Sequence, residues 1–202
     1  MKASSYQIKS YCHILDGKIS LNGEILFSHH ETEFSTFIKA AYKHFETGYS
    51  KFFKMDTLSK LAFMAAELLL KNNTEKNTAL VLSNRASSLD TDRAYQASVS
   101  EVTNAYPSPA LFVYTLPNIC LGEISIRHSL YSENSFFIFD AFNPKLLSDY
   151  SDSLLQTGKA NEVLCGWVDI DMGKYDAFLY LISKNGVFTY STEEITRLYR
   201  TK

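Results

Sequence analysis

Cysteine is scarce in this 202-residue chain, with three residues at Cys12, Cys120 and Cys165. They form no CxxC pair and cannot all pair with one another. Neither a disulfide framework nor a thiolate metal site is expected, and a reducing cytoplasm is the simplest setting. Glycine and proline are few as well, 8 and 4, and no glycines fall at GxGxxG or P-loop spacing, which excludes the common phosphate cradles. No linker, low-complexity tract or repeat is visible. No apolar run nears the roughly 18–20 residues needed to span a bilayer, and the start, MKASSYQIKSYCHIL, lacks the apolar core of a secretion leader. Charge is nearly balanced, at a formal net of −2, so nothing electrostatic points to nucleic acid or an anionic membrane as partner.

Apolar and aromatic residues are plentiful. Hydrophobic residues make up 46% of the chain, with 14 Phe and 13 Tyr against one Trp. That composition fits one packed domain over residues 1–202, with surface left for association. Residues 6–14 suit a first strand, and Asp16-Gly17 turns it into a second extended piece, Lys18–Phe27, itself punctuated by Asn22-Gly23. Phe34, Phe37, Ile38, Ala41, Tyr42 and Phe45 recur at helical spacing. Just before them, His29, His30, Glu31 and Glu33 lack a third or fourth ligand at metal spacing and read as a solvated loop.

Asp56 is a candidate N-cap for a helix to about Lys71 that is apolar nearly all round, hence buried between layers. Thr78–Ser83 reads as a continuous apolar strand of the parallel-sheet kind. Thr91 or Asp92 is the expected cap of a modest helix carrying Tyr95, Val99 and Val102. Pro117 fits the first turn of a helix with Ile119, Cys120, Ile124 and Ile126. Phe136–Phe139 is a strand apolar on both faces. Asn143-Pro144 starts a helix that Gly158 stops. Glu162–Val168 and Tyr175–Ser183 are strands, Asn185-Gly186 signals a hairpin, and Ser191 with Glu194 forms a capping box for a last helix. Strands alternating with helices predict an α/β domain with a mostly parallel, five-stranded mixed sheet and helices on both faces.

The stretch YPSPALFVYTLPNICLGEISIRHSLYSENSFFIFDAFN, Tyr106–Asn143, is the centre of this pattern. Its Ser108, Pro109, Phe112, Thr115, Asn118, Gly122 and Ile124 are followed by a strand aimed at a helix start. This resembles the N-terminal half of the beta-ketoacyl-ACP synthases of the thiolase-like superfamily, where such a segment leads to a nucleophilic cysteine. Phe52-Phe53-Lys54-Met55-Asp56 resembles the family's KKMD-type helix start, and Cys165-Gly166-Trp167 its strand of small residues after the nucleophile helix. The resemblance covers most of residues 45–183 and implies a thiolase-like half-fold. The position of the cysteine falls on Phe142, between Ala141 and Asn143. The family's Gly-Pro before the strand is replaced by Glu133-Asn134, and its histidine-bearing C-terminal half has no counterpart here. The resemblance therefore implies a catalytically silent subunit, with no cofactor and no metal, because Phe142 has no lone pair to attack a thioester.

Other candidate chemistry is thin. Cys165 and Cys120 read as buried structural thiols, and Asp169 with Asp171 as turn carboxylates. A small acyltransferase or thioesterase acting through Cys165 or a serine is the competing enzyme reading. The resemblance also places the strand Ser135, Phe136, Phe137, Ile138, Phe139, Asp140 at a sheet edge, where the family pairs strands across a dimer. An open, uncharged edge of this kind invites association. The helices Met55–Lys71 and Pro144–Gly158 are expected to lose the layer that the missing half would supply. The implied partner is a second copy or a full-length ketosynthase, with an acyl carrier protein as a further partner. The implied role is shaping the acyl pocket in fatty-acid or polyketide-type biosynthesis, similar to the short ketoacyl-synthase-like proteins of aryl-polyene and flexirubin-type pathways. A homodimeric carrier-protein scaffold is the alternative within this class.

Overall fold

The computed structural model describes residues 6–100 and 107–201. Val102 and Tyr106 lie outside these. The elements run β1 (Gln7–Leu15), β2 (Lys18–Leu21), β3 (Glu24–Ser28), α1 (Phe34–His44), a 3₁₀ turn (Ser50–Lys54), α2 (Thr57–Leu70), β4 (Thr78–Asn84), α3 (Leu89–Val99), α4 (Pro109–Val113), α5 (Ile119–His128), β5 (Asn134–Ile138), α6 (Pro144–Gln156), β6 (Glu162–Asp171), β7 (Lys174–Ser183), β8 (Phe188–Thr189) and α7 (Thr192–Arg200). The strands form one sheet in the order β3-β2-β1-β7-β6-β4-β5, with β8 beside β1.

The α/β class is as expected, but the sheet is not mostly parallel and has eight strands rather than five. Only β4–β5 and β4–β6 are parallel. The other pairings are antiparallel. The reason lies in three tight turns, Asp16-Gly17, Asn22-Gly23 and Met172-Gly173, in which both residues have positive φ. That geometry matches the twist of the flanking strands and folds the chain straight back. The third turn lets β6 run on to Asp171, where a loop from Asp169 was expected.

Alternating side chains divide the sheet between two cores. Leu80, Leu82, Leu164, Val168, Leu179 and Leu181 face α1, α2 and α5. Ala79, Val81, Val163, Cys165, Phe178, Tyr180 and Ile182 face α6 and α7. Gly166 on β6 lies opposite Leu179 of β7 at φ +152, and a Cβ there would run into the carbonyl oxygen of Phe178.

Local signals fix most helix ends. Asp56 caps α2 through the Ser59 amide at 2.9 Å. Asn143 caps α6 through the Leu146 amide at 3.1 Å, with Pro144 in the first turn. Gly158 takes the left-handed stop at φ +72. Four assignments shift. Helix α3 starts after Ser88, because Thr91 turns inward to donate to Asp56 at 2.9 Å. Pro117 precedes α5 rather than lying in its first turn. Ser191 does cap the Glu194 amide, but the Glu194 carboxylate pairs with Arg197 at 2.7 Å instead of closing the box. Asn185-Gly186 leads β8 to β1, not back along β7.

The two central helices do not lack cover. Helix α2 is enclosed by the sheet, α1, α5 and the Tyr49 and Phe52 rings, which lie 5.2 and 5.6 Å from Phe63. Helix α6 buries Leu147, Leu154 and Leu155 and turns Lys145 and Asp149 outward. A polar clamp joins α2 to α5. The buried Glu67 carboxylate accepts two bonds from the Arg127 guanidinium, at 2.7 and 3.0 Å, and lies 3.2 Å from His128 Nε2. Burial pushes the Glu67 carboxyl up, but His128 and Arg127 outweigh it and bring it down to about 2.

Two outcomes are expected. Gly166→Ala removes a conformation and a clearance that only glycine has, and should cost more than about 3 kcal/mol in chemical denaturation or abolish soluble expression. Glu67 has a folded pKa below its unfolded value of roughly 4.3, so its stabilisation is complete above that pH and is lost as pH falls towards 2. Glu67→Gln should lower stability at neutral pH by about 3 kcal/mol, since Arg127 keeps some exposure, and flatten the denaturation midpoint between pH ~5 and ~2.

Candidate functional site

Among the described residues strand β5 ends the sheet and pairs on one side only, parallel to β4. The Leu80 amide donates to Glu133 O at 3.0 Å and the Phe139 amide to Asn84 O at 2.9 Å. Alternation along a strand then turns the backbone groups of residues 133, 135, 137 and 139 towards β4 and those of Asn134, Phe136 and Ile138 away from the sheet. Side chains alternate too. Phe137 and Phe139 stack at 5.8 Å on the α6 side, where Phe137 meets Tyr150 at 5.1 Å and Ser135 bonds the Tyr150 hydroxyl at 2.7 Å. Phe136 packs on the opposite core. Ile138 is 50% exposed.

Beyond β5, Asp140 and Ala141 are exposed and lead to Phe142, which sits just before the α6 cap. The Phe142 ring is half-buried rather than deep in the core. It lies 4.6 Å from Tyr199, 5.8 Å from Phe178 and 6.3 Å from Trp167. Tyr199 is fixed in turn, since its hydroxyl donates to Asp176 Oδ2 at 2.7 Å while Asp176 Oδ1 lies 2.9 Å from His13 Nε2. Burial, with Asp176 beside it, pushes the Tyr199 phenol up. This His13–Asp176–Tyr199 cluster joins β1, β7 and α7. Its one readable signal was a histidine at an inward position of an alternating strand.

In front of Phe142 lies a groove of about 590 Å³ walled by Ile138, Phe139, Phe142 and Pro144, with Arg85 and Lys145 at its rim. It occupies the crevice outside the carboxyl ends of the parallel strands β4 and β5, a recurrent ligand position in α/β sheets.

The remaining motif residues lie in or beside the 3₁₀ turn, α4 and α5. Met55 is buried and follows Lys54 out of the 3₁₀ turn. Asp56 holds Ser59 and Thr91; burial raises its carboxyl and these bonds oppose it. Pro109 starts α4, and Phe112 is 58% exposed with its ring 5.5 Å from Tyr95. The Thr115 hydroxyl donates to Phe112 O at 2.7 Å, and Thr115 O accepts from Ser88. Asn118 sits before α5 without a side-chain cap, and Gly122 on α5 has open space beside it.

The cysteine named for the alternative chemistry, Cys165, is closed off from solvent. All three cysteines are fully buried. Burial pushes the Cys165 thiol up to about 11 despite Tyr180 and Ser151 nearby, and raises Cys12 and Cys120 as well. Asp169 accepts from the Arg85 and Ala86 amides at 3.0 and 2.9 Å, and Asp171 pairs with Arg93 at 2.6 Å. Both are therefore paired rather than merely solvated. Glu33 caps α1 through the Ser35 and Thr36 amides, which bring its carboxyl down to about 2. Among the described residues no group of three or more His, Cys, Asp and Glu suits a metal ion, and no helix is long and apolar enough to cross a membrane.

No protein-family profile matches the chain, and no curated protein does. Solved structures do. It superposes on the ishigamide ketosynthase/chain length factor with a TM-score of 0.64 at 17% identity, over 89% of this chain and 62% of that one. It matches a chain from the ketosynthase (ApeO) in complex with its chain length factor (ApeC) from Xenorhabdus doucetiae with a TM-score of 0.61 at 14% identity, over 98% and 92%. It also matches the AntDE:AntF complex of a type II PKS acyl-carrier protein with its ketosynthase, with a TM-score of 0.56 at 11% identity, over 88% and 62%. The chain thus spans under two thirds of the first and third of these and nearly all of the second. At such identities the likeness is one of architecture, and the chain has the thiolase-like fold of the ketosynthases and chain length factors.

Proposed function

We propose that this chain is a catalytically silent ketosynthase-like subunit. In this reading it pairs along β5 with a full-length ketosynthase, or with a second copy, in fatty-acid or polyketide-type biosynthesis of the aryl-polyene kind, and shapes the partner's acyl pocket. A cytoplasmic setting with an acyl carrier protein as third member goes with it.

The difference between the two sheet edges carries the proposal. At the far edge, β3 is interrupted by a bulge between its pairs with Ile19 and Ser20, and it begins with Glu24. Bulges and charges are how proteins blunt an edge against strand addition. Strand β5 has a regular register over Asn134–Ile138, no charged side chain in it, and three residues turning their amide and carbonyl groups outward. A partner strand would satisfy those groups and cover Ile138. The ketosynthase in complex with its chain length factor, one chain of which matches over nearly its whole length, supports a heteromeric partner. Phe142 at the nucleophile position supports silence, since a benzyl side chain cannot form an acyl thioester.

Co-expression with a full-length ketosynthase and an acyl carrier protein should yield a complex of defined mass. Ile138→Pro removes an outward-facing amide without touching a bond to β4, and Ile138→Lys adds a charge to the edge. Each should weaken pairing at least about tenfold while leaving the circular dichroism spectrum unchanged. Unaltered pairing in both variants would exclude β5 as the interface.

The competing acyltransferase or thioesterase reading requires an accessible low-pKa thiol or an activated serine. Native protein should react with iodoacetamide at neutral pH no faster than the rate of unfolding, with all three cysteines labelled in denaturant. Rapid labelling of Cys165 in the folded protein would reinstate the enzyme.

A further inference from the structure

The carbonyl ends of α2 and α5 meet at one cleft, and the cations gathered there exceed the negative charge they face. We propose that this cleft binds a small tetrahedral oxyanion of the phosphate type, held by Lys71, Lys76 and Arg127. It shares no residue with β5, so the proposal stands apart from strand pairing.

The three cations come from three segments: Lys71 just after α2, Lys76 before β4 and Arg127 in the last turn of α5. Glu67 is the one carboxylate in the lining. Each helix end counts as roughly half a negative charge, so two ends and Glu67 leave the cations in excess. Donors also remain to be used. Arg127 gives Nε and Nη2 to Glu67 and to Thr47 O, at 2.7 to 3.0 Å. That leaves both N–H groups of Nη1 without a partner among the described residues. Lys76 donates once, to His128 O at 2.8 Å, and keeps two N–H groups. The Lys71 ammonium has no hydrogen bond or ion pair among the described residues. The wall behind these donors is fixed. Glu67 is 2% exposed, and the Tyr49 ring lies 5.2 Å from Arg127 Cζ. His128, 9% exposed, places Nε2 3.2 Å from Glu67 Oε2 but out of line for a hydrogen bond. Leu70 is the one apolar side chain in the lining. At about 200 Å³ the cleft falls below the roughly 300–1,000 Å³ of drug-sized ligand sites. It has room for an ion or a head group and none for a chain, and the planar fork of an arginine suits phosphate oxygens.

Inorganic phosphate and methyl phosphate present this chemistry from two sources, a free ion and an ester. Phosphate stabilises proteins in general by exclusion from their surface, so the readout is the heat of binding and not the melting temperature. Isothermal titration of the intact chain at fixed ionic strength should show saturable one-to-one binding of at least one probe. Which probe binds identifies the source. Lys71→Ala should weaken binding about tenfold, as expected for one lost charge-assisted hydrogen bond, and Lys71→Glu should abolish it. Lys71 is exposed and its side chain supports nothing else, so both variants should keep the wild-type circular dichroism spectrum. Lys145→Ala, which removes a cation outside the cleft, should bind as the wild type does. Absence of saturable binding by both probes, wild-type affinity in both Lys71 variants, or an equal loss in Lys145→Ala would overturn the proposal.

Discussion

Burial of both faces of one sheet is the constraint from which the rest of this structure follows. Alternate residues of β4, β6 and β7 belong to different cores, so these three strands present apolar side chains in both directions. That demands helices above and below, and the chain supplies them itself: α1, α2 and α5 on one side, α6 and α7 on the other. Helix α2, apolar nearly all round, is legible only in this light. It needs cover on both its own sides, and obtains it from the sheet and from α5. The polar clamp from Glu67 to Arg127 then holds a helix–helix contact in register where apolar packing alone would leave it free to slide.

Once the faces are closed, only edges remain for strand-to-strand association. This shifts the argument for a partner from missing layers to unpaired backbone. Helices cover both faces of the sheet, and among the described residues no strand pairs with the outward side of β5. The β3 edge is bulged and the β5 edge regular, although both carry exposed apolar side chains, Ile25 at one and Ile138 at the other.

Features encoded within a few residues were readable from the sequence. Asp56 and Asn143-Pro144 announce helix starts, Gly158 announces a stop, and Asp16-Gly17 and Asn22-Gly23 announce turns, because each works through a nearby backbone group or a positive φ. The Met172-Gly173 turn was hidden because methionine is an unusual residue at positive φ, and with it went the length of β6 and the antiparallel β6–β7 pair. Strand direction was hidden for a different reason: a buried apolar run looks alike in parallel and antiparallel surroundings. Phe142 could be singled out by position alone. Its neighbours could not, since His13 and Asp176 stand 163 residues apart in the chain and meet only after the sheet has assembled.

The position of Phe142 also bears on how the fold is held together beyond the end of β5. A working acyl-transfer centre keeps polar groups poised and partly unsatisfied, which costs stability that catalysis repays elsewhere. Here Phe142 packs on three other aromatic rings, and one of them, Tyr199, is bonded to Asp176, which lies beside His13. Burying such a ring fully would contribute roughly 1.5–3 kcal/mol, and partial burial a share of that. The ring packing around Phe142 lies just behind the β5 edge that, in the proposed reading, a partner would read.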